Sequence, residues 1–198
     1  MVAPMNYNCL FFTAILGMSL AFPLGLSAAD SDPTENSVSA RVHVVILGKD
    51  SGKEGFPAEA IYEEGHTVDG MRSGLWKRFY PTGKLRSEIH FAMGDPFGDY
   101  RLYTDQGVLY EEGRWEFGMN VGKLRRFWPN GTPQQILTFD SQGVGQGEQR
   151  HYHDNGQLEM VVELSNGEEY GDLVRLDREG RVISRTTYQK GRVVQRTH

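Results

Sequence analysis

A chain of 198 residues with a single cysteine has room for one domain plus a leader and little scope for disulfides. Its 21 Lys and Arg are outnumbered by 26 Asp and Glu, giving a formal net charge of −5. That balance, without Lys/Arg clusters, makes nucleic acid and anionic membrane surfaces poor partners.

Residues Leu10 to Leu26 form an apolar stretch ending in the small residues Ser27-Ala28-Ala29. This pattern predicts a signal peptide over 1–29, cut before Asp30, and hence a secreted or periplasmic chain. The alternative is an uncleaved N-terminal membrane anchor, because Met1–Cys9 carries no Lys or Arg. Cys9 precedes the apolar stretch without a small-residue box, so a lipoprotein is not expected. Cleavage leaves no thiol for catalysis or metal binding. Residues 30–40 are polar and read as a flexible spacer. Arg41-Val42-His43-Val44-Val45-Ile46-Leu47 is β-branched and predicts a strand that caps the first sheet edge within 41–56.

From about residue 57 to 198 the chain is periodic. Gly74, Gly98, Gly122, Gly147 and Gly171 recur at intervals of 24, 24, 25 and 24 residues, and Gly83, Gly107, Gly131, Gly156 and Gly180 keep step with them. Aromatic or apolar residues follow five positions after each opening glycine: Phe79, Tyr103, Phe127, Tyr152 and Leu176. Another column, Leu85, Leu109, Leu158 and Val182, is interrupted by Pro133. Turn sequences such as Pro-Thr-Gly and Asp-Asn-Gly separate short strand-like segments, so each block predicts one β-hairpin. Met93–Gly98 reads as a looser connection between blocks, and Gly143–Gly147 as a stretched one. Turn signals every 8–12 residues exclude ordinary helices. The expected fold is all-β, an elongated antiparallel β-hairpin solenoid of five to six 24-residue repeats, since a lone hairpin is marginal and stacked ones share a core.

The pattern Gly-x-Trp-x-x-Phe-Tyr-Pro-x-Gly-x-Leu-x-x-Glu, followed by an aromatic residue and Gly-x-x-x-Gly, resembles the MORN-repeat variant over roughly residues 57–194. Gln149 replaces the aromatic residue of the Trp76/Tyr100 column, and Leu176 replaces Phe79/Tyr103. The resemblance implies a hairpin array with binding or scaffolding roles and no shared catalytic residues. Bacterial chains of this kind are often labelled antitoxin-like, which would require cytoplasmic residence.

Candidate chemistry is sparse. Glu63-Glu64 and Glu111-Glu112 invite a two-carboxylate reading, but neighbours on a strand point to opposite faces. His151 and His153 share a strand face about 6–7 Å apart, yet no third ligand accompanies them; no metal or cofactor is expected. His43, His66, His90 and His198 are scattered through the sequence. Ser, His and Asp occur without a nucleophile elbow, so an enzyme is not expected. Tyr80 and Trp128 share one column beside Phe79 and Phe127. If the latter are buried, Tyr80 and Trp128 face outward and, with Trp76 and Tyr100, are the candidate partner-binding residues. The expected function is a non-catalytic envelope module holding a protein partner. Envelope carbohydrate bound through the aromatic residues, or antitoxin-like neutralisation, are the alternatives.

Overall fold

A computed structural model describes residues 40–197. The expected signal peptide and all but the last residue of the expected spacer lie outside the described residues. The described residues form one antiparallel sheet of 14 strands that is not closed. In chain order these are β1 (Arg41–Leu47), β2 (Ile61–Val68), β3 (Met71–Phe79), β4 (Leu85–Ala92), β5 (Asp95–Tyr103), β6 (Leu109–Glu116) and the two-residue β7 (Met119–Asn120). There follow β8 (Gly122–Phe127), β9 (Pro133–Phe139), β10 (Gly147–Tyr152), β11 (Leu158–Ser165), β12 (Glu168–Leu176), β13 (Val182–Gln189) and β14 (Arg192–Thr197). Each strand pairs with its sequence neighbours, except that β6 pairs with both β7 and β8.

Two kinds of turn alternate. At one rim, Tyr80 N–H donates to Lys84 O (2.8 Å) and Gly83 N–H to Tyr80 O (2.9 Å), with Gly83 at φ +80°. This is a three-residue loop whose last residue must be left-handed, which explains the second glycine series. At the other rim, Asp69-Gly70, Met93-Gly94, Phe117-Gly118, Asn166-Gly167 and Lys190-Gly191 are two-residue turns with both residues at positive φ. At Asp140–Val144 the longer kind of turn takes the place of the shorter. That one extra residue accounts for the single 25-residue interval.

The opening glycines are not in connections, contrary to the sequence reading. Met93-Gly94 is a tight turn, β5 begins at Asp95, and Gly98 lies inside the strand. Gly74, Gly98, Gly122, Gly147 and Gly171 have φ between +68° and +108°. Around Gly74, two steps along β2 (Glu64 to His66) face four along β3 (Lys77 to Ser73). Each such bulge sets extra backbone into one strand, and the glycine supplies the conformation that it needs.

The core lies two residues after the first four bulge glycines, where Trp76, Tyr100, Leu124 and Gln149 are buried; Leu173, after Gly171, is half-buried. Phe79 and Phe127, whose burial is the condition for an outward-facing Tyr80 and Trp128, are only half-buried. A Cβ on Gly65 would come within 2.3 Å of the Trp76 ring, so that ring lies flat across the neighbouring strand. Tyr100 lies likewise against Gly113 and stacks on Trp115, with centroids 4.0 Å apart. Gln149 fills the aromatic column as a polar bracket. Its amide accepts from Thr138 N–H (2.9 Å) and donates to Thr138 O (3.0 Å), which also accepts from Gln146 N–H (2.9 Å). Trp76 Nε1 likewise donates to a backbone carbonyl, His66 O (3.0 Å). Pro133 opens β9 opposite Phe127, at a strand start where its missing N–H is tolerated.

Candidate interaction surface

The acidic pairs divide across the sheet as strand alternation requires. Glu63 is buried on the core face, where Arg72 and Arg78 (Nε–Oε2 2.7 Å) hold its carboxylate. Two periods later Glu111 accepts from Arg126 Nε (2.7 Å) and from the Tyr100 hydroxyl (2.9 Å). Desolvation and then the Glu111 charge push the Tyr100 phenol well above its ordinary pKa. A polar chain continues along this face: Arg126 donates to Gln135 Oε1 (3.1 Å), and the Gln135 amide donates to His151 Nδ1 (3.2 Å). Desolvation holds the His151 imidazole below the usual histidine value.

On the opposite face, registered positions carry Glu64, Lys77, Glu88, Arg101, Glu112 and Arg125 across six consecutive neighbouring strands. Charges of opposite sign therefore stand beside one another, with Arg101–Glu112 at 3.5 Å and Arg125–Glu112 at 3.0 Å. Tyr103 donates to Glu88 Oε2 (2.9 Å), and desolvation raises its pKa as well. Shallow hollows of about 130, 360 and 200 Å3 follow one another along this face. Asp99, Tyr100 and Arg101 line both the first and the second; Lys123 lines both the second and the third. This face is a charge-balanced ladder, and its exposed pairs add little stability each.

The four aromatic residues expected to meet a partner are placed differently. Trp76 and Tyr100 are buried in the sheet and unavailable to a partner while it is intact. Tyr80 and Trp128 are half-buried at the rim of three-residue turns, not on a flat outward face. The Tyr80 hydroxyl donates to Tyr103 O (2.8 Å) and Trp128 Nε1 to Tyr152 O (3.0 Å), each in the following repeat. His153, in the same column, donates from Nε2 to Leu176 O (3.0 Å). This column stitches one repeat to the next. His151 and His153 do not converge, because a register shift follows His151 and the two rings serve different partners.

The opposite rim carries a feature that the sequence reading missed. Met93 and Phe117 are 82% and 83% exposed, each as first residue of a two-residue turn at φ +49° and +51°. Asp and Asn take that conformation readily, as Asp69 and Asn166 do here; Met and Phe adopt it at a cost of roughly 1–2 kcal/mol. Phe117 meets Phe97 edge-on at 5.9 Å, and partly exposed Met71 and Met119 extend the apolar rim. Adjacent repeats stand two strand spacings apart, so the two tips project roughly 10 Å from one another. The signal was present in the sequence as a large apolar residue directly before a turn glycine, in a column otherwise polar.

Three segments, residues 72–92, 120–141 and 146–166, match the family model described as MORN repeat variant. No curated protein matches the chain. Among solved structures, an S. aureus TarM mutant in complex with fondaparinux, α-GlcNAc-glycerol and UDP is similar at 15% identity over 49% of this chain, with a TM-score of 0.34. Another TarM structure is similar at 16% identity over 50% of this chain, with a TM-score of 0.33. The chain spans 19% of the length of each.

Proposed function

We propose, from the MORN-variant repeats that the chain carries, that it is a non-catalytic binding module of the cell envelope. It reaches a secreted or periplasmic location after removal of residues 1–29 and holds a protein partner along its apolar rim. One observation carries the choice of surface: Met93 and Phe117 are almost fully solvated at left-handed turn positions. Folding gains little from them and is penalised by their conformation, so a role outside the fold best accounts for their presence. Exposed Met and Phe side chains suit protein contact, Met by adaptable packing and Phe by its large apolar area. The other candidate aromatic residues and the central charge ladder are engaged within the sheet, and the remaining exposed apolar side chains, such as Ile183 and Val194, are less exposed than Met93 and Phe117. The sheet's core face buries Trp76 and Tyr100, its other face pairs its own charges, and its second rim spends Tyr80 and Trp128 on neighbouring repeats.

Affinity capture from envelope extracts tests the reading, with the Met93→Asn/Phe117→Asn double variant beside the unaltered chain. Loss of a captured protein from the variant, with the β-type circular dichroism unchanged, is the expected result. Equal capture by both proteins would remove the rim from consideration. N-terminal sequencing of the native protein tests the location separately: a start near Asp30 is expected, and retention of Met1–Ala29 would contradict it.

A further inference from the structure

The edge of the sheet brings together two histidines that are 23 positions apart in sequence. His43 of β1 and His66 of β2 are direct cross-strand partners, and their ring centroids lie 4.9 Å apart with 40° between the planes. His43 is exposed and His66 half-exposed, so solvent ions reach both. The His66 backbone is held from behind, because its carbonyl accepts the Trp76 indole N–H at 3.0 Å.

We propose that His43 and His66 form a two-imidazole site for one late first-row divalent cation, copper(II) foremost. The spacing fits a shared ion. A metal–nitrogen bond of about 2.0–2.1 Å puts each ring centroid roughly 3.2 Å from the metal. Two such rings at coordination angles between a right angle and a tetrahedral one have centroids roughly 4.5–5.2 Å apart. The observed separation lies inside that interval. Imidazole pairs favour copper(II) over nickel(II) and zinc(II) by the usual order of affinities.

The surroundings define what kind of site this is. Among the described residues no group of three or more His, Cys, Asp or Glu side chains is placed to hold a metal. Water therefore completes the coordination, and the ion exchanges freely. Arg41, two residues before His43 on the same strand face, opposes a cation, whereas Glu64, two before His66, attracts one. A bound ion would pin edge strand β1 to β2 through side chains as well as backbone.

Copper(II) chloride titrated into the full chain at neutral pH tests the site, with paramagnetic resonance as a second readout. One equivalent should bind with two equatorial nitrogen donors. His43→Gln and His66→Gln should each weaken binding by at least about tenfold, the loss that removal of even an outer-shell partner causes. His90→Gln should leave the affinity unchanged, and Arg41→Ala should increase it. Undiminished binding by His43→Gln would overturn the proposal, since other histidines would then hold the ion. A spectrum with a single nitrogen from the unaltered chain would overturn it too, and needs no variant to fold.

Discussion

Replacing Met93 by Asn should make the protein more stable, although it deletes a large apolar side chain. Met93 is 82% exposed, so it retains under a fifth of its possible burial. Complete burial of a methionine stabilises by about 1.5–3 kcal/mol, and the fraction lost here is therefore about 0.3–0.5 kcal/mol. Against this, φ +49° costs a residue such as Met roughly 1–2 kcal/mol, a penalty that Asn largely avoids by bonding to local backbone. The net gain is about 0.5–1.5 kcal/mol, or a few degrees in Tm for a sheet of this size. Phe117→Asn relieves the same backbone but also breaks the edge contact with Phe97, itself worth about 0.5–1.5 kcal/mol, so its net effect should be near zero. Urea and thermal unfolding of the two variants, followed by circular dichroism, measure the difference. A destabilised Met93→Asn would show that the methionine packs on something the fold needs. The argument that the rim serves a partner would then lose its energetic basis.

Gly65→Ala should destabilise more than Gly113→Ala, because the added methyl would come to 2.3 Å from the Trp76 ring but only to 3.0 Å from Tyr100; denaturation midpoints rank the pair. Tyr80→Phe removes the hydroxyl that donates to Tyr103 O and should cost about 1 kcal/mol without changing the spectrum of the folded state. The raised phenol pKa of Tyr100 fixes the sign of an alkaline transition. Its contribution is complete below the ordinary tyrosine value of about 10 and is lost as pH rises above it, because the unfolded chain ionises first. Tyr100→Phe should flatten the stability profile above that pH, and an unchanged slope would count against the assignment.

The periodic glycines, the spacing of the turn residues and the strand-like character of Arg41–Leu47 identify an antiparallel hairpin array before any coordinates. These are local features: a turn that needs positive φ selects glycine wherever it occurs, and alternating strand positions follow from two-residue periodicity. The same local logic misplaced the opening glycines. Gly74 and Gly83 look alike in sequence because both need positive φ, but one bulges a strand and the other ends a turn. Only the pairing of β2 with β3, two steps against four, separates them. The candidate surface differs from the sequence expectation for a related reason. Alternation along one strand points Tyr80 and Trp128 outward, whereas their polar ends meet carbonyls of the next repeat, 23 and 24 residues away.

Residue order alone thus determined the repeat unit, its all-β character and the places where the backbone must turn, since each is decided within a few neighbouring residues. Register decided everything else: which columns are buried, which rim is stitched and which is left apolar, and that His43 meets His66 while His151 and His153 part company. Those outcomes depend on contacts between residues distant in the chain, where one bulge shifts every pairing beyond it, and no count along a single strand contains that information.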